Sequence, residues 1–190
     1  MSVKRIVIIG PESTGKSTLC KQLAAHYKTK WCPEYAREYL LQHGMNYSYN
    51  DLLTIAKGQQ ELDDKITAEA EQQNAAYVFI DTDLYVMKVW CEFVFGKCHS
   101  WIIRRAAEQQ PAMYLLCNTD LPWVKDELRE YPDHATRQKL FCYYKDLVIS
   151  SGVPWALVSG NEEERLSCAV KAVEHPHLRA SGGQGILTKE

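Results

Sequence analysis

The sequence predicts a three-layer α/β fold, with a five-stranded parallel sheet covered by helices on both faces. Three observations predict it. Five short runs of strand character alternate with helical stretches, the pattern of parallel strands joined by crossovers. Most of those runs are continuously apolar instead of alternating, as strands buried on both faces are. The first run leads directly into a glycine-punctuated turn, "GPESTGKST", and then into a helix.

The elements follow in order. "RIVIIG" at Arg5–Gly10 is the first strand and Lys16–Tyr27 the first helix. "KWCPEYA", around Trp31–Tyr35, reads as the second strand; Pro33 cannot donate to a ladder, which suits an edge or a strand end. A long helix over Asp51–Gln73 repeats Leu62, Ile66 and Ala70 every four residues, with Asn50 or Asp51 as its cap. "YVFID" at Tyr77–Asp81 is the third strand, and helices over Asp83–Phe95 and His99–Gln109 come next. "MYLLCN" (Met113–Asn118) and "PWALVSG" (Pro154–Gly160) are the fourth and fifth strands, with a helix over Ala135–Ser151 between them and another over Glu162–Glu174 after them. Residues 1–178 read as one domain, and 179–190, with their Gly-rich polar run, as a flexible tail.

Composition narrows the function classes. A chain of 190 residues with 46% hydrophobic and 24% charged content can bury one sizeable core. A formal net charge of -2 gives no drive toward nucleic acid or an anionic membrane surface. The apolar runs fall far short of a membrane span, and the one at the N-terminus is too short for a signal peptide, so the chain reads as cytoplasmic. Seven scattered cysteines, an odd number without a C-x-x-C pair, argue against a disulfide scaffold or a zinc site, the neighbours Cys98 and His99 included.

Gly10, Gly15, Lys16 and Ser17 match G-x-x-x-x-G-K-[ST], with a strand before and a helix after. Glycines let successive N–H groups turn toward a phosphate, and the helix N-terminus adds partial positive charge. The loop from Gly10 through Glu12, Ser13, Thr14, Gly15, Lys16, Ser17 and Thr18 therefore reads as an ATP cradle. Lys16 would bridge the β- and γ-phosphates and the Ser17 hydroxyl would ligate Mg²⁺. This is the P-loop NTPase fold. Asp81, ending the third strand, is the candidate acid for the metal, and Asp83 is either a substrate contact or a helix cap.

Three features point to a small-molecule acceptor for the terminal phosphate. Glu34 and Arg37 follow the second strand, where the carboxyl ends of parallel strands open into a cleft; the alternative is a surface pair between the two. The run 81–101 is dense in aromatics (Tyr85, Trp90, Phe93, Phe95 and Trp101), of which Tyr85 or Trp90 could face a flat heterocycle. Arg129 and Arg137 lie in a polar, proline-interrupted stretch suited to a short lid. Either Glu34 or Asp83 could orient or deprotonate a hydroxyl; the residues leave that open.

The segments "GPESTGKS", "EYAREYL", "FIDTDLY", "FGKCH", "NTDLPWVKDELR" and "TRQKLF" resemble the ribosylnicotinamide kinase domain of the NadR family, from about Arg5 to Glu174. The resemblance implies a kinase of the adenylate-kinase-like type, with the Asp81 strand beside the phosphate-loop strand. It implies transfer of phosphate from ATP to the ribose 5′-hydroxyl of nicotinamide riboside, with Glu34, Arg37, Asp81, Asp83, Arg129 and Arg137 taking the family's positions. One departure stands out. NadR proteins carry an adenylyltransferase domain ahead of the kinase, whereas here the phosphate loop begins at residue 10. The expectation is therefore a kinase lacking dinucleotide-forming and DNA-binding segments. Its acceptor is less fixed than its reaction type. The rivals are a kinase for another nucleoside or vitamin alcohol, and a nucleotide-dependent regulatory ATPase switch.

Overall fold

The computed structural model describes residues 2–176, so the predicted tail over 179–190 lies outside the described residues. Five strands, β1 (Lys4–Ile9), β2 (Trp31–Cys32), β3 (Tyr77–Asp81), β4 (Met113–Cys117) and β5 (Trp155–Val158), form one sheet in the order β2-β3-β1-β4-β5. Every pairing is parallel. The register sets Ile8 beside Asp81, so the β3 acid stands next to the strand that carries the phosphate loop, as the resemblance implies.

Among the described residues seven helices cover the sheet: α1 (Lys16–His26), α2 (Tyr35–His43), α3 (Tyr49–Gln72), α4 (Leu84–Phe95), α5 (Ser100–Glu108), α6 (His134–Ser150) and α7 (Glu162–Glu174). The two-residue period of a strand divides the core. Ile6 and Ile8 of β1 pack with Leu19 and Leu23 of α1 and Ala169 and Val173 of α7 on one face. Val7 and Ile9 pack with Ala70 of α3, Val89 of α4 and Leu140 and Val148 of α6 on the other. A third cluster joins α2, α3, α4 and α5 through Ala36, Ile55, Met87 and Ile102.

Two local expectations are corrected. The second strand is only two residues long, because Pro33 ends the ladder and Glu34 already stands at the N-cap of α2. The cap of α3 is Ser48, two or three residues earlier than expected: its Oγ accepts from the Asp51 N–H while the Asp51 carboxylate accepts from the Ser48 N–H, a capping box. Asp51 thus serves at the third helical position and not as the cap.

One close approach fixes α2, and with it Glu34. The Tyr35 ring packs against Gly58 of α3, where a Cβ would come within 2.2 Å of the ring. The Tyr35 N–H donates to Gln59 Oε1 at 2.8 Å. A glycine inside a helix costs about 1 kcal/mol relative to alanine. That cost is offset by the only geometry that lets the aromatic ring dock so deeply.

Candidate active site

At the carboxyl end of β1 the chain turns into the loop Gly10–Gly15. Gly10 has φ 146, and a Cβ there would sit 2.8 Å from the Cys117 carbonyl of β4, so no other residue fits without moving the neighbouring strand. Thr14 Oγ1 donates to the Pro11 carbonyl (2.8 Å), and Lys16 Nζ donates to the same oxygen (2.9 Å). The loop thus closes on itself around Pro11, with Gly15 (φ 78) capping α1.

Two buried arginines hold this loop from beneath. Arg165 of α7 donates to the carbonyls of Thr14 (2.9 Å), Asn118 (3.1 Å) and Gly160 (2.8 Å) and pairs with Asp120. Arg137 donates from Nη2 to the carbonyls of Ser13 (3.3 Å) and Leu121 (3.2 Å), while its Nε is buried without a partner. Burial pushes the Arg137 guanidinium pKa down, partly opposed by Glu12. Carbonyls engaged from below leave the adjoining N–H groups free to turn to the opposite side of the loop. Arg137 therefore differs from expectation: it is a helical residue under the loop, not part of a lid. Arg165 was not foreseen at all; an arginine after "NEEE" in an acidic helix start carries no local signal of burial.

Beside the loop, Asp81 is 1% exposed, and among the described residues neither carboxylate oxygen meets a donor at hydrogen-bonding distance and angle. Desolvation, then the neighbouring Glu34 charge, push its pKa up to about 6, against the lowering effect of Lys16 and the Ser17 hydroxyl. A buried, unpartnered carboxylate next to a hydroxyl and a phosphate loop fits the donor set for a hard divalent cation such as Mg²⁺. The chain reverses immediately afterwards at Thr82, a β-branched residue at φ 68 whose strain, of order 1–3 kcal/mol, is held by its N–H bond to Ile8 (3.1 Å).

That reversal turns Asp83 away from the cleft. Its Oδ1 accepts from the Tyr85 N–H (2.9 Å) as cap of α4, and its Oδ2 accepts from Tyr114 Oη and Gln109 Nε2, each at 2.9 Å. It is 2% exposed, and burial raises its pKa to about 6. Of the two readings open for Asp83, the structure supports the cap and corrects the substrate contact. Tyr85 is corrected with it: the ring packs against Tyr114 on the sheet (centroids 5.7 Å apart) and does not line the cleft.

The cleft itself has a volume of about 230 Å³ and runs from the phosphate loop to an aromatic wall. Gly10 through Thr18 line it together with Glu34, Arg37, Trp90, Phe93 and Tyr144 of α6. Phe95 and Trp101 lie instead in the α2–α5 cluster. Arg37 pairs with Asp126 (3.0 Å) and not with Glu34, so the alternative of a local Glu34–Arg37 pair is not realised and Arg37 bridges to the segment 122–133. That segment is the lid. It supplies Leu128, Arg129, Glu130 and Tyr131 to the cleft. Trp90 Nε1 donates to Tyr47 Oη (2.9 Å), which donates in turn to the Glu130 carboxylate (2.9 Å). Tyr131 meets Phe93 edge-on, centroids 5.3 Å apart. The roles of Tyr47, Glu130 and Tyr131 were not read from sequence; an aromatic inside a polar, proline-interrupted loop was the available signal.

The AAA domain family matches residues 5–165, a span that holds both the loop and the lid. The chain belongs to the AAA domain family. Among curated relatives of this AAA-domain chain, the trifunctional NAD biosynthesis/regulator protein NadR of Salmonella typhimurium is 31% identical over 140 residues, 72% of this chain and 33% of that protein. NadR of Escherichia coli is 27% identical over 176 residues, covering 90% and 42%. The chain thus spans less than half the length of these relatives. Among solved structures, NadR in complex with NR superposes with TM-score 0.71 at 18% identity, covering 92% of this chain and 49% of that one. NadR in complex with NAD and AMP-PNP gives the same score over 97% and 52%. Thymidylate kinase from Ehrlichia chaffeensis gives 0.65 at 13% identity, over 92% and 98%. At these identities the structures show the fold, that of the P-loop kinases. The AAA-domain chain is a NadR-like P-loop nucleotide-binding domain. Among the described residues, no helix is long and apolar enough to cross a membrane.

Proposed function

We propose that this chain is a cytoplasmic phosphotransferase that moves the γ-phosphoryl group of ATP to the ribose 5′-hydroxyl of nicotinamide riboside, giving nicotinamide mononucleotide and ADP. The observation that carries the reading is a single cleft in which a phosphate loop opens onto a carboxylate and an aromatic wall beneath an arginine-bearing lid. A regulatory switch has no use for the acceptor half. The resemblance to NadR supports the choice of acceptor.

In this reading the hydroxyl oxygen attacks the γ-phosphorus in line, and the bond to the β,γ-bridging oxygen breaks to release ADP. Glu34 receives the hydroxyl proton: Asp83 is committed to capping α4, and of the three acids lining the cleft Glu12 and Glu130 are held by Trp123, Tyr131 and Tyr47. Lys16 and Arg129 offset the charge that builds on the transferring group, and loop N–H groups fix the phosphates. Ser17 and Asp81 would hold Mg²⁺, which when bound neutralises charge on the β- and γ-oxygens. Trp90 and Phe93 offer faces for a cationic ring, a contact of about 0.5–2 kcal/mol.

The test is an acceptor screen on the purified protein, reading product mass and ADP. Nicotinamide riboside should gain one phosphate and accelerate ADP release. A different nucleoside or a vitamin alcohol phosphorylated faster would reassign the acceptor, and ADP release unaffected by any alcohol would reject the kinase reading. Acceptors lacking a ribose hydroxyl should lose more kcat/KM than neutral-base ribosides, because a carboxylate left unpaired costs more than a lost stacking contact.

A further inference from the structure

Glu12 lies within the phosphate loop, where sequence suggests a residue turned toward nucleotide. Its carboxylate is turned toward the lid instead. Glu12 Oε1 accepts from Trp123 Nε1 (2.9 Å) and from the Tyr131 N–H (2.8 Å), while Oε2 accepts from the Glu130 N–H (3.0 Å). The next residue extends the seam: Ser13 Oγ accepts from the Val124 N–H (3.0 Å) and is reached by Arg129 Nη1 at 3.3 Å. All these donors come from one segment more than 110 positions away in the chain. A carboxylate accepting three N–H bonds, two of them from consecutive backbone amides, is a directed, charge-assisted contact. A solvated loop glutamate would show no such convergence.

We propose that Glu12 is a positioning residue that couples the phosphate loop to the lid, and this rests on the kinase reading above. By gripping the backbone at Glu130 and Tyr131, Glu12 sets where Arg129, the residue before them, stands over the loop. The same grip seats Tyr131 against Phe93 and so completes the wall of the acceptor half. Lid and phosphate loop then move as one unit. Cover over the γ-phosphate is in place only when Arg129 is also in place, and water is kept from the phosphorus while the acceptor oxygen is admitted.

Loss of the grip should therefore appear as leakage: water attacks the γ-phosphorus, the bridging bond breaks, and ADP, inorganic phosphate and a proton form without acceptor. Nucleotide affinity should change little, since Lys16 and the loop N–H groups remain.

The experiment uses Glu12→Ala and Glu12→Gln in the full chain, each with and without Trp123→Phe, so that the emission of Trp123 is obtained by difference. Three quantities are read: acrylamide quenching of Trp123, the ratio of acceptor-free ADP release to acceptor phosphorylation, and KM for ATP. In Glu12→Ala, Trp123 should become at least about twice as quenchable, and the leakage ratio should rise on the order of tenfold, as expected when a charge-assisted contact is lost. KM for ATP should move less than about threefold. Glu12→Gln, which keeps one acceptor oxygen, should fall between that variant and the parent. Trp123 shielding unchanged in Glu12→Ala overturns the proposal. So does a higher KM for ATP with an unchanged leakage ratio, which would make Glu12 a nucleotide contact. If far-UV circular dichroism shows Glu12→Ala misfolded, Glu12→Gln decides by the same criteria. The quenching arm needs no acceptor. A parent protein that phosphorylates nothing while its Trp123 shielding still depends on Glu12 rejects the kinase reading and keeps the grip.

Discussion

Beneath the phosphate loop, Arg137 and Arg165 are 3% and 2% exposed and spend their donors largely on main-chain carbonyls. Above it, the Glu12–Glu130 and Ser13–Val124 bonds and the Arg37–Asp126 pair meet the lid through contacts open to water. The two sides differ in what water can do. A broken bond below leaves a buried donor or acceptor unsatisfied, so the cost is the full desolvation penalty. A broken bond above is replaced by hydration, and an exposed ion pair contributes about 0–1 kcal/mol. The loop is thereby fixed where its N–H geometry must not vary and loosely covered where substrate must enter and product leave.

The largest effect should come from removing the charge between the two sides while leaving both sets of anchors intact. Lys16→Ala should lower phosphoryl transfer by on the order of 10²–10³-fold or more, while urea denaturation shifts by no more than about 0.5 kcal/mol. Retained transfer would mean that the loop does not organise a γ-phosphate. Breaking the underside comes next. Arg165→Met should cost about 3 kcal/mol by urea denaturation, since three carbonyls and Asp120 lose their partner in a buried site. A cost under about 1 kcal/mol would show that the underside is no more rigid than the lid.

Asp81→Asn separates stability from activity. The folded-state pKa of Asp81 lies above that of a free carboxyl, so protonation favours the fold at low pH and that contribution is lost as pH rises through about 6. In chelator-treated protein the variant should be more stable by about 1–3 kcal/mol at pH 8 and by less at pH 4, while losing transfer activity. Lower stability at pH 8 would mean that the carboxylate is satisfied in the fold. The smallest effect belongs to the lid side: Asp126→Asn should change stability by less than about 1 kcal/mol, and by less still in high salt. A loss approaching that of Arg165→Met would erase the contrast between the two sides.

The sheet, its parallel sense and the phosphate loop were legible in the sequence because each rests on local chemistry. Apolar runs such as "IVII" and "YVFID" specify strands covered on both faces, and glycines at Gly10 and Gly15 specify a loop that only glycine permits. The place of Asp81 beside the loop strand was legible through the family resemblance, and the β1–β3 register sets it next to Ile8. What the tertiary structure decided lies where one residue type serves two chemistries. Asp83 is two positions from Asp81 and equally acidic, yet the reversal at Thr82 sends it to cap α4 under Tyr114. Arg137 and Arg129 both looked like lid arginines, but α6 begins at His134 and carries Arg137 under the loop, leaving only Arg129 above it. Glu12 and Trp123 stand 111 positions apart, and Arg165 and Thr14 stand 151 apart. Periodicity and motif spacing describe neighbours along the chain; partners this distant are chosen only when the sheet closes and decides which surfaces face each other.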